Sequence, residues 1–200
     1  DLVATEDMLL LDRWAVTRAS ELQDEIVSAY NSFNFHLIYQ KLHNFCVVEL
    51  GGIYLDIIKD RQYTCQADSL ARRSAQTALY HIVEAFSRWL APILSFTADE
   101  LYEHIPGDRQ SSIFTEEFYT GVTPLLDEAS NERHIMDVLC GVKTAVNKAI
   151  EAKRSEGVVG SSLEATVRLY VDDAIADVLR VLESELRFVL IASEVTIESI

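Results

Sequence analysis

The chain has 200 residues, 49% of them hydrophobic and 24% charged, which suits one large globular domain or two small ones. It contains no run of about 18 uninterrupted apolar residues, which excludes a typical membrane-spanning helix. Its three cysteines form no CxxC pair, so the spacing supports neither a disulfide framework nor a zinc site. Isolated cysteines are typical of a reducing cytoplasm, where we expect the protein to reside.

The net charge of −15 argues against nonspecific nucleic-acid binding, but the charge is unevenly distributed. Residues 36–90 carry six basic and five acidic side chains, whereas residues 91–130 carry one basic and eight acidic side chains. Only the 36–90 stretch is therefore suited to meet a phosphate backbone. The alternative, that this stretch is simply a less acidic pair of helices, stays open.

The first half of the chain shows helical periodicity. A first helix is predicted over about 6–31, with Thr5 as its N-cap, and a second over about 35–58. Gly51 and Gly52 lie inside the second helix, where they indicate either close helix packing or a local bend. Residues 60–68 are predicted to form a loop.

A third helix is predicted over about 69–90, with Asp68 or Ser69 as its cap and Pro92 ending or kinking it. The stretch 97–100 (TADE) has the pattern of a capping box and predicts the start of a short fourth helix. Residues 108–127 lack periodicity and are interpreted as an irregular connection.

The pattern changes after residue 128. A long helix is predicted over about 130–155, with Lys143 outside its apolar face and Gly157 as its stop. A half-buried strand over 163–171, a helix capped by Asp172 and Asp173, a short helix or strand over 185–192 and an edge strand over 195–197 complete the chain. We therefore predict a mainly α protein, with an antiparallel helical bundle over 1–127 and a long helix plus a small α+β subdomain over 128–200.

No catalytic constellation is recognisable. The sequence lacks a phosphate-binding loop and an HExxH motif, and no Ser, Cys or Lys has a local nucleophile signature. His81 and Glu84 are interpreted as a capping or surface pair. His36 and His43 share a helix face, but no carboxylate or cysteine ligand accompanies them at a useful spacing. We predict neither catalytic nor metal-binding residues.

Several runs of residues resemble isoleucyl-tRNA synthetase, a class I aminoacyl-tRNA synthetase of bacterial type. They are 11–14 (LDRW), 44–46 (NFC), 54–61 (YLDIIKDR), 71–74 (ARRS), 76–81 (QTALYH), 91–100 (APILSFTADE), 161–165 (SSLEA) and 185–193 (ELRFVLIAS). The run 54–61 is the most specific to the isoleucine enzyme, whereas 91–100 is shared more loosely with the valyl, leucyl and methionyl relatives.

The resemblance implies the anticodon-binding region of that family, whose full enzyme joins isoleucine to its tRNA using ATP. The family's HIGH and KMSKS signatures and its C-terminal cysteine zinc module are missing here, so we expect a non-catalytic fragment in which ATP and zinc belong to other parts of the enzyme. The family's anticodon domain begins upstream of Asp1, so the bundle is expected to lack its first helix.

We expect isoleucine tRNA as partner, no membrane association and a monomer, with dimerisation through the truncated bundle as an alternative. RNA loops are recognised by stacking and by hydrogen bonds to base edges. The residues with suitable chemistry are His36, Lys41, His43, Lys59, Arg61, Arg72, Arg73 and Arg88, with Phe35 and Tyr63 as further stacking partners.

Alternative interpretations of these residues stay open. Lys59 and Arg61 could pair within the protein with Asp56 and Asp60. A helical protein-interaction module, or the anticodon domain of a valyl, leucyl or methionyl relative, would also fit the sequence.

Overall fold

The computed structural model describes residues 2–127 and 129–200, and the chain divides into two compact units, unit 1 (1–127) and unit 2 (128–200). Unit 1 contains α1 (Leu10–Asn31), α2 (Phe35–Asn44), a π-helix (Phe45–Tyr54), α3 (Leu55–Thr64), α4 (Leu70–Leu90) and α5 (Ser95–His104). Unit 2 contains α6 (Asn131–Ser155), β1 (Thr166–Val171), α7 (Asp173–Arg180), α8 (Glu183–Leu190) and β2 (Glu194–Ser199). Short 3-10 turns occur at Thr5–Asp7, Ile113–Thr115 and Ser162–Glu164. The predicted mainly α fold class is confirmed.

The start of α1 differs from the prediction. Thr5 lies in a 3-10 turn, and α1 begins only at Leu10 without a side-chain cap. The Leu9 amide instead donates to the Ser74 hydroxyl on α4, at 2.9 Å. A contact with a residue 65 positions away therefore fixes where this helix begins, which a local capping rule does not detect.

The core of unit 1 forms between α1 and α4. Both helices place alanines at the contact, among them the fully buried Ala19 and Ala78, so that their backbones approach closely. Trp89 is fully buried, and its indole nitrogen donates to Gln23 at 3.0 Å. The Tyr30 hydroxyl donates to the backbone carbonyl of Trp89 at 2.7 Å. Trp89 is therefore buried with both its indole nitrogen and its carbonyl paired.

The stretch Phe35–Thr64 is one continuous helical run whose middle third is a π-helix. The predicted loop over 60–68 is wrong over 60–64, because the helix continues to Thr64, whereas residues 65–68 lie outside the helices as predicted. A Cβ at Gly51 would lie 2.9 Å from the Cys46 carbonyl oxygen, so the π-helical backbone requires glycine there. Both Gly51 and Gly52 are exposed, so the interpretation as close helix packing is wrong.

The helix α4 agrees with its prediction, since the Ser69 hydroxyl accepts from the Arg72 amide as an N-cap. The predicted capping box at 97–100 is wrong, because α5 begins at Ser95 and Thr97 lies inside it. Asp99 instead accepts from the Ser112 hydroxyl at 2.8 Å and from the Ile113 amide at 2.9 Å. Its carboxylate thereby holds the irregular segment after α5.

In unit 2, α6 begins after Ser130, whose hydroxyl accepts from the Arg133 amide, and ends before Gly157, which has φ +73°. The strands β1 and β2 pair in parallel, in register from Thr166 with Glu194 to Val171 with Ser199. Asp172 caps α7 as predicted, accepting from the Ile175 amide at 2.9 Å.

The prediction that Lys143 lies outside the apolar face of α6 is wrong. Its side chain is buried, and its ammonium group donates to the Val189 carbonyl of α8 at 2.9 Å. The ion–dipole contact compensates part of the cost of burial. Within residues 2–127 and 129–200, no helix is both long and apolar enough to span a bilayer.

Candidate nucleic-acid interface

The long helix formed by α2, the π-helix and α3 presents its outward side to solvent. At the α2 end, three ring-bearing side chains share one face and are exposed: His36, Tyr39 and His43, here called the ring face. Tyr39 is 66% exposed, and its ring centroid lies 5.8 Å from that of His43, with the ring planes tilted by 38°. Lys41, on the same helix, is turned toward α1 and pairs with Glu25.

The other predicted cations near this helix lie in α3 and in the first turn of α4. Lys59, Arg61, Arg72 and Arg73 lie on either side of the short turn Cys65–Ser69 and are called the basic corner. Lys59 is exposed, and Tyr63 beside it is 82% exposed. Arg72 is half-buried and donates to the Cys65 carbonyl at 3.3 Å, which holds the turn closed.

A buried carboxylate contacts one residue of the basic corner from the interior of unit 1. Asp12 on α1 is fully buried and accepts from the Tyr54 hydroxyl at 2.8 Å and from the Ser74 hydroxyl at 2.6 Å. Arg61 approaches the same carboxylate at 3.6 Å. Burial raises the pKa of Asp12, and these three neighbours partly offset that effect. This buried node joins α1 and α4 to both ends of α3.

The node explains why the run 54–61 combines apolar and charged residues. Tyr54 and Arg61 both reach the buried Asp12. Asp56 is exposed and makes a contact of its own, whereas the side chain of Asp60 lies outside the described residues. Arg61 therefore has a structural contact within the protein, while its predicted role in RNA binding stays a prediction.

Arg88 lies in a different environment, called the arginine cluster and formed by Glu84, Arg88, Arg109 and Glu116. The side chain of Arg88 is only 9% exposed, and its guanidinium donates to Glu84 at 2.6 Å and to Glu116 at 2.9 Å. Arg109 donates to the second oxygen of Glu84, and its guanidinium lies 4.9 Å from the ring centroid of Tyr102.

Burial acts to raise the pKa of Glu84, but hydrogen bonds from Arg109 and Arg88 outweigh it and hold that pKa below its usual 4.5. The cluster is thus an internal ionic network with matched charges. It attaches the irregular segment after α5 to the side of α4.

His81 and Glu84 do not form the predicted surface pair, because Glu84 is buried in the arginine cluster. A ring nitrogen of His81 is 2.8 Å from the Tyr119 hydroxyl, and burial lowers the pKa of this histidine, with Glu84 opposing the effect. Glu84 is therefore part of the interior, and the half-buried His81 packs against Tyr119. Among the residues that the structure describes, no group of three or more His, Cys, Asp or Glu side chains is arranged to hold a metal ion.

Two residues of this region were missed by sequence reasoning. Tyr39 could have been found, since the spacing 36, 39, 43 places it on the same helix face as the two histidines. Asp12 could not, because its partners Tyr54 and Ser74 are 42 and 62 positions away. Of the predicted stacking partners, Phe35 is half exposed and Tyr63 is the most exposed tyrosine described.

Residues 12–169 match the family described as the anticodon-binding domain of tRNA ligase, so the chain belongs to that family.

Among curated relatives, the chain is 58% identical to an isoleucine–tRNA ligase of Nitrosococcus oceani over 191 residues, which are 96% of this chain and 20% of the relative. It is 55% identical to that of a Marinomonas species over 197 residues, and 54% identical to that of Halorhodospira halophila over 199 residues. These alignments cover 98% and 100% of this chain and 21% of each relative, so the chain spans about a fifth of the length of the relatives that it matches. The resemblance inferred from the sequence motifs is confirmed.

Proposed function

We propose that this chain is the tRNA-binding portion of an isoleucine–tRNA ligase, and that it binds the anticodon stem-loop of isoleucine tRNA. The observation that carries the proposal is the similarity to isoleucine–tRNA ligases along the whole chain, 54% over 199 residues in one relative. Attachment of isoleucine to the tRNA, the ATP that drives it and a cysteine zinc module would belong to other parts of such an enzyme.

The contact surface that we propose is the outward side of the long helix together with the basic corner. Charge supports this choice, because residues 36–90 carry a net charge of +1, whereas residues 1–35 carry −5 and residues 91–130 carry −7. Exposure supports it as well, since Lys59, His36 and His43 all face solvent. Arg88 is excluded from this surface, because both sides of its guanidinium are occupied by carboxylates.

The electrostatic contribution of this surface would be small compared with that of strongly basic RNA-binding proteins. Because the chain carries a net charge of −15, long-range repulsion partly offsets the local attraction of its basic residues for phosphate. We therefore expect weak, salt-dependent binding by a monomeric chain, with selectivity derived from contacts to unpaired bases rather than from overall charge.

Fluorescence anisotropy with labelled transcripts of isoleucine, valine, leucine and methionine tRNA tests the proposal. We expect the isoleucine transcript to bind most tightly. In a double-logarithmic plot of affinity against salt, Lys59→Ala and Arg72→Ala should each reduce the slope by about 0.7–0.9, the effect of one lost phosphate contact.

Arg180→Ala is the matched control, because Arg180 is an exposed cation on α7 that pairs with Asp177. It should leave the slope unchanged. Tighter binding of another transcript would overturn the assignment to isoleucine tRNA, and an absence of binding to every transcript even at low salt would overturn tRNA binding by this chain.

A further inference from the structure

The ring face exposes side chains that contribute little to the stability of the fold. Tyr39 is 66% exposed, so most of its apolar area gives no stabilisation through burial. His36 and His43 flank it at helical spacing and are exposed as well. The three rings thus form a surface whose chemistry is not explained by packing.

The neighbouring side chains are uncharged hydrogen-bonding groups. Gln40 and Asn44 are exposed on α2, and each amide carries both donors and an acceptor. No acidic residue occurs between positions 35 and 48, although the whole chain has 32. The Asn44 amide donates to the Glu49 carboxylate at 3.4 Å, so an acidic group borders this surface. Rings for stacking and amides for base edges, bordered by a carboxylate that repels phosphate, suit nucleobases better than phosphates.

The basic corner at the far end of the same helix has the opposite character. Lys59 is exposed there, and the half-buried Arg72 and Arg73 follow in the first turn of α4; cations of this kind suit a phosphate backbone. His36 and Lys59 are 23 positions apart, which corresponds to at most roughly 35 Å, the length of a straight α-helix that rises 1.5 Å per residue. The helix therefore separates a surface for bases from a surface for phosphates.

We propose that Tyr39 and His43, with His36 beside them, form a stacking platform for unpaired RNA bases, whereas the basic corner contacts the backbone of an adjoining paired stem. This inference rests on the proposed function and adds the direction in which the RNA lies on the helix. The α2 end meets the loop, and the α3–α4 end meets the stem.

Two probe RNAs test the direction. One is a hairpin with the stem and the unpaired loop of an isoleucine anticodon arm, and the other is a blunt duplex with the same number of phosphates. Tyr39→Ala should weaken binding of the hairpin about 5- to 100-fold, which is the range for one lost base stack. It should leave binding of the duplex within about twofold.

Tyr39→Phe keeps the ring, so it should bind the hairpin as tightly as the wild-type chain does. Weak binding by Tyr39→Phe would instead mean that the hydroxyl group is required. Tyr170→Ala is the matched control, because Tyr170 is another exposed tyrosine, on β1 of unit 2. Lys59→Ala should weaken binding of both RNAs and reduce the salt slope for both.

The outcomes separate this inference from the proposed function. If the wild-type chain binds the hairpin but Tyr39→Ala behaves like Tyr170→Ala, the platform is overturned while tRNA binding stands. If Tyr39→Ala weakens hairpin and duplex equally, the assignment of the ring face to unpaired bases is overturned. If the wild-type chain binds neither RNA at low salt, both proposals fail.

Discussion

Arginines occur near both ends of α4, but the environments of their side chains differ. At its first turn, Arg72 and Arg73 border the basic corner beside an exposed lysine and an exposed tyrosine. Near its last turn, Arg88 is enclosed by Glu84, Glu116 and Arg109. Basic residues that look equivalent in sequence are therefore candidates for RNA contact at one end and parts of the interior at the other.

The difference follows from what surrounds each arginine. The segment after α5 brings Glu116 and Arg109 to the last turns of α4, so Arg88 can be buried with its charge matched. The first turn of α4 meets the end of α3, and Lys59 there adds another positive charge. Three variants, ordered by the size of the expected effect, probe whether these structural assignments are correct.

The largest effect is expected for Glu84→Gln in the arginine cluster. Removing this charge leaves Arg109 and part of Arg88 buried without a carboxylate, and breaking such a pair costs about 3 kcal/mol of unfolding free energy. Urea unfolding followed by tryptophan fluorescence measures it, since both tryptophans, Trp14 and Trp89, lie in unit 1.

Glu117→Gln is the control for this variant, because Glu117 is exposed on the same segment. Equal stability of the two variants would contradict an internal role for the cluster. It would also return Arg88 to the candidates for RNA contact.

A smaller effect is expected for Tyr54→Phe below the basic corner. The substitution removes the hydroxyl that donates to the buried Asp12, and a hydrogen bond to a charged group contributes about 2 kcal/mol. Tyr63→Phe, at an exposed position, should change stability by less than about 0.5 kcal/mol. If both variants unfold at the same urea concentration, the buried node does not anchor the corner.

The smallest effect is expected in the π-helix between the two surfaces. A Cβ at Gly51 would lie 2.9 Å from a backbone oxygen, whereas one at Gly52 would lie 3.4 Å from its nearest neighbour. We expect Gly51→Ala to be less stable than Gly52→Ala by about 1 kcal/mol, because both gain helix propensity but only Gly51→Ala has to relieve a clash with a backbone oxygen. Thermal unfolding of the pair measures the difference, and the reverse order would argue against the π-helical backbone at this position.

Sequence reasoning succeeded where structure is determined locally. The helices α4 and α6 begin after serines that act as N-caps, and α7 begins after Asp172, because each cap bonds an amide within three residues. It failed where distant residues decide. The start of α1 depends on Ser74, the extension of α3 places Arg61 beside the distant Asp12, and the position of Lys143 depends on a carbonyl of α8.

The candidate site was predictable to a lesser degree. The local excess of basic residues directs attention to residues 36–90, but it does not distinguish exposed Lys59 from buried Arg88. Charge neutralisation by Glu84 and Glu116 requires chain segments up to 28 positions apart to meet, which periodicity does not reveal. The assignment of individual side chains to RNA contact stays a prediction until binding is measured.

Hydrogen–deuterium exchange of the chain with and without isoleucine tRNA tests most directly whether RNA binds the outward side of the long helix rather than the arginine cluster. We predict protection of amides within 35–64 and at the first turn of α4, with no change within 105–119. Protection confined to 84–119, with none along the long helix, would contradict the proposed interface.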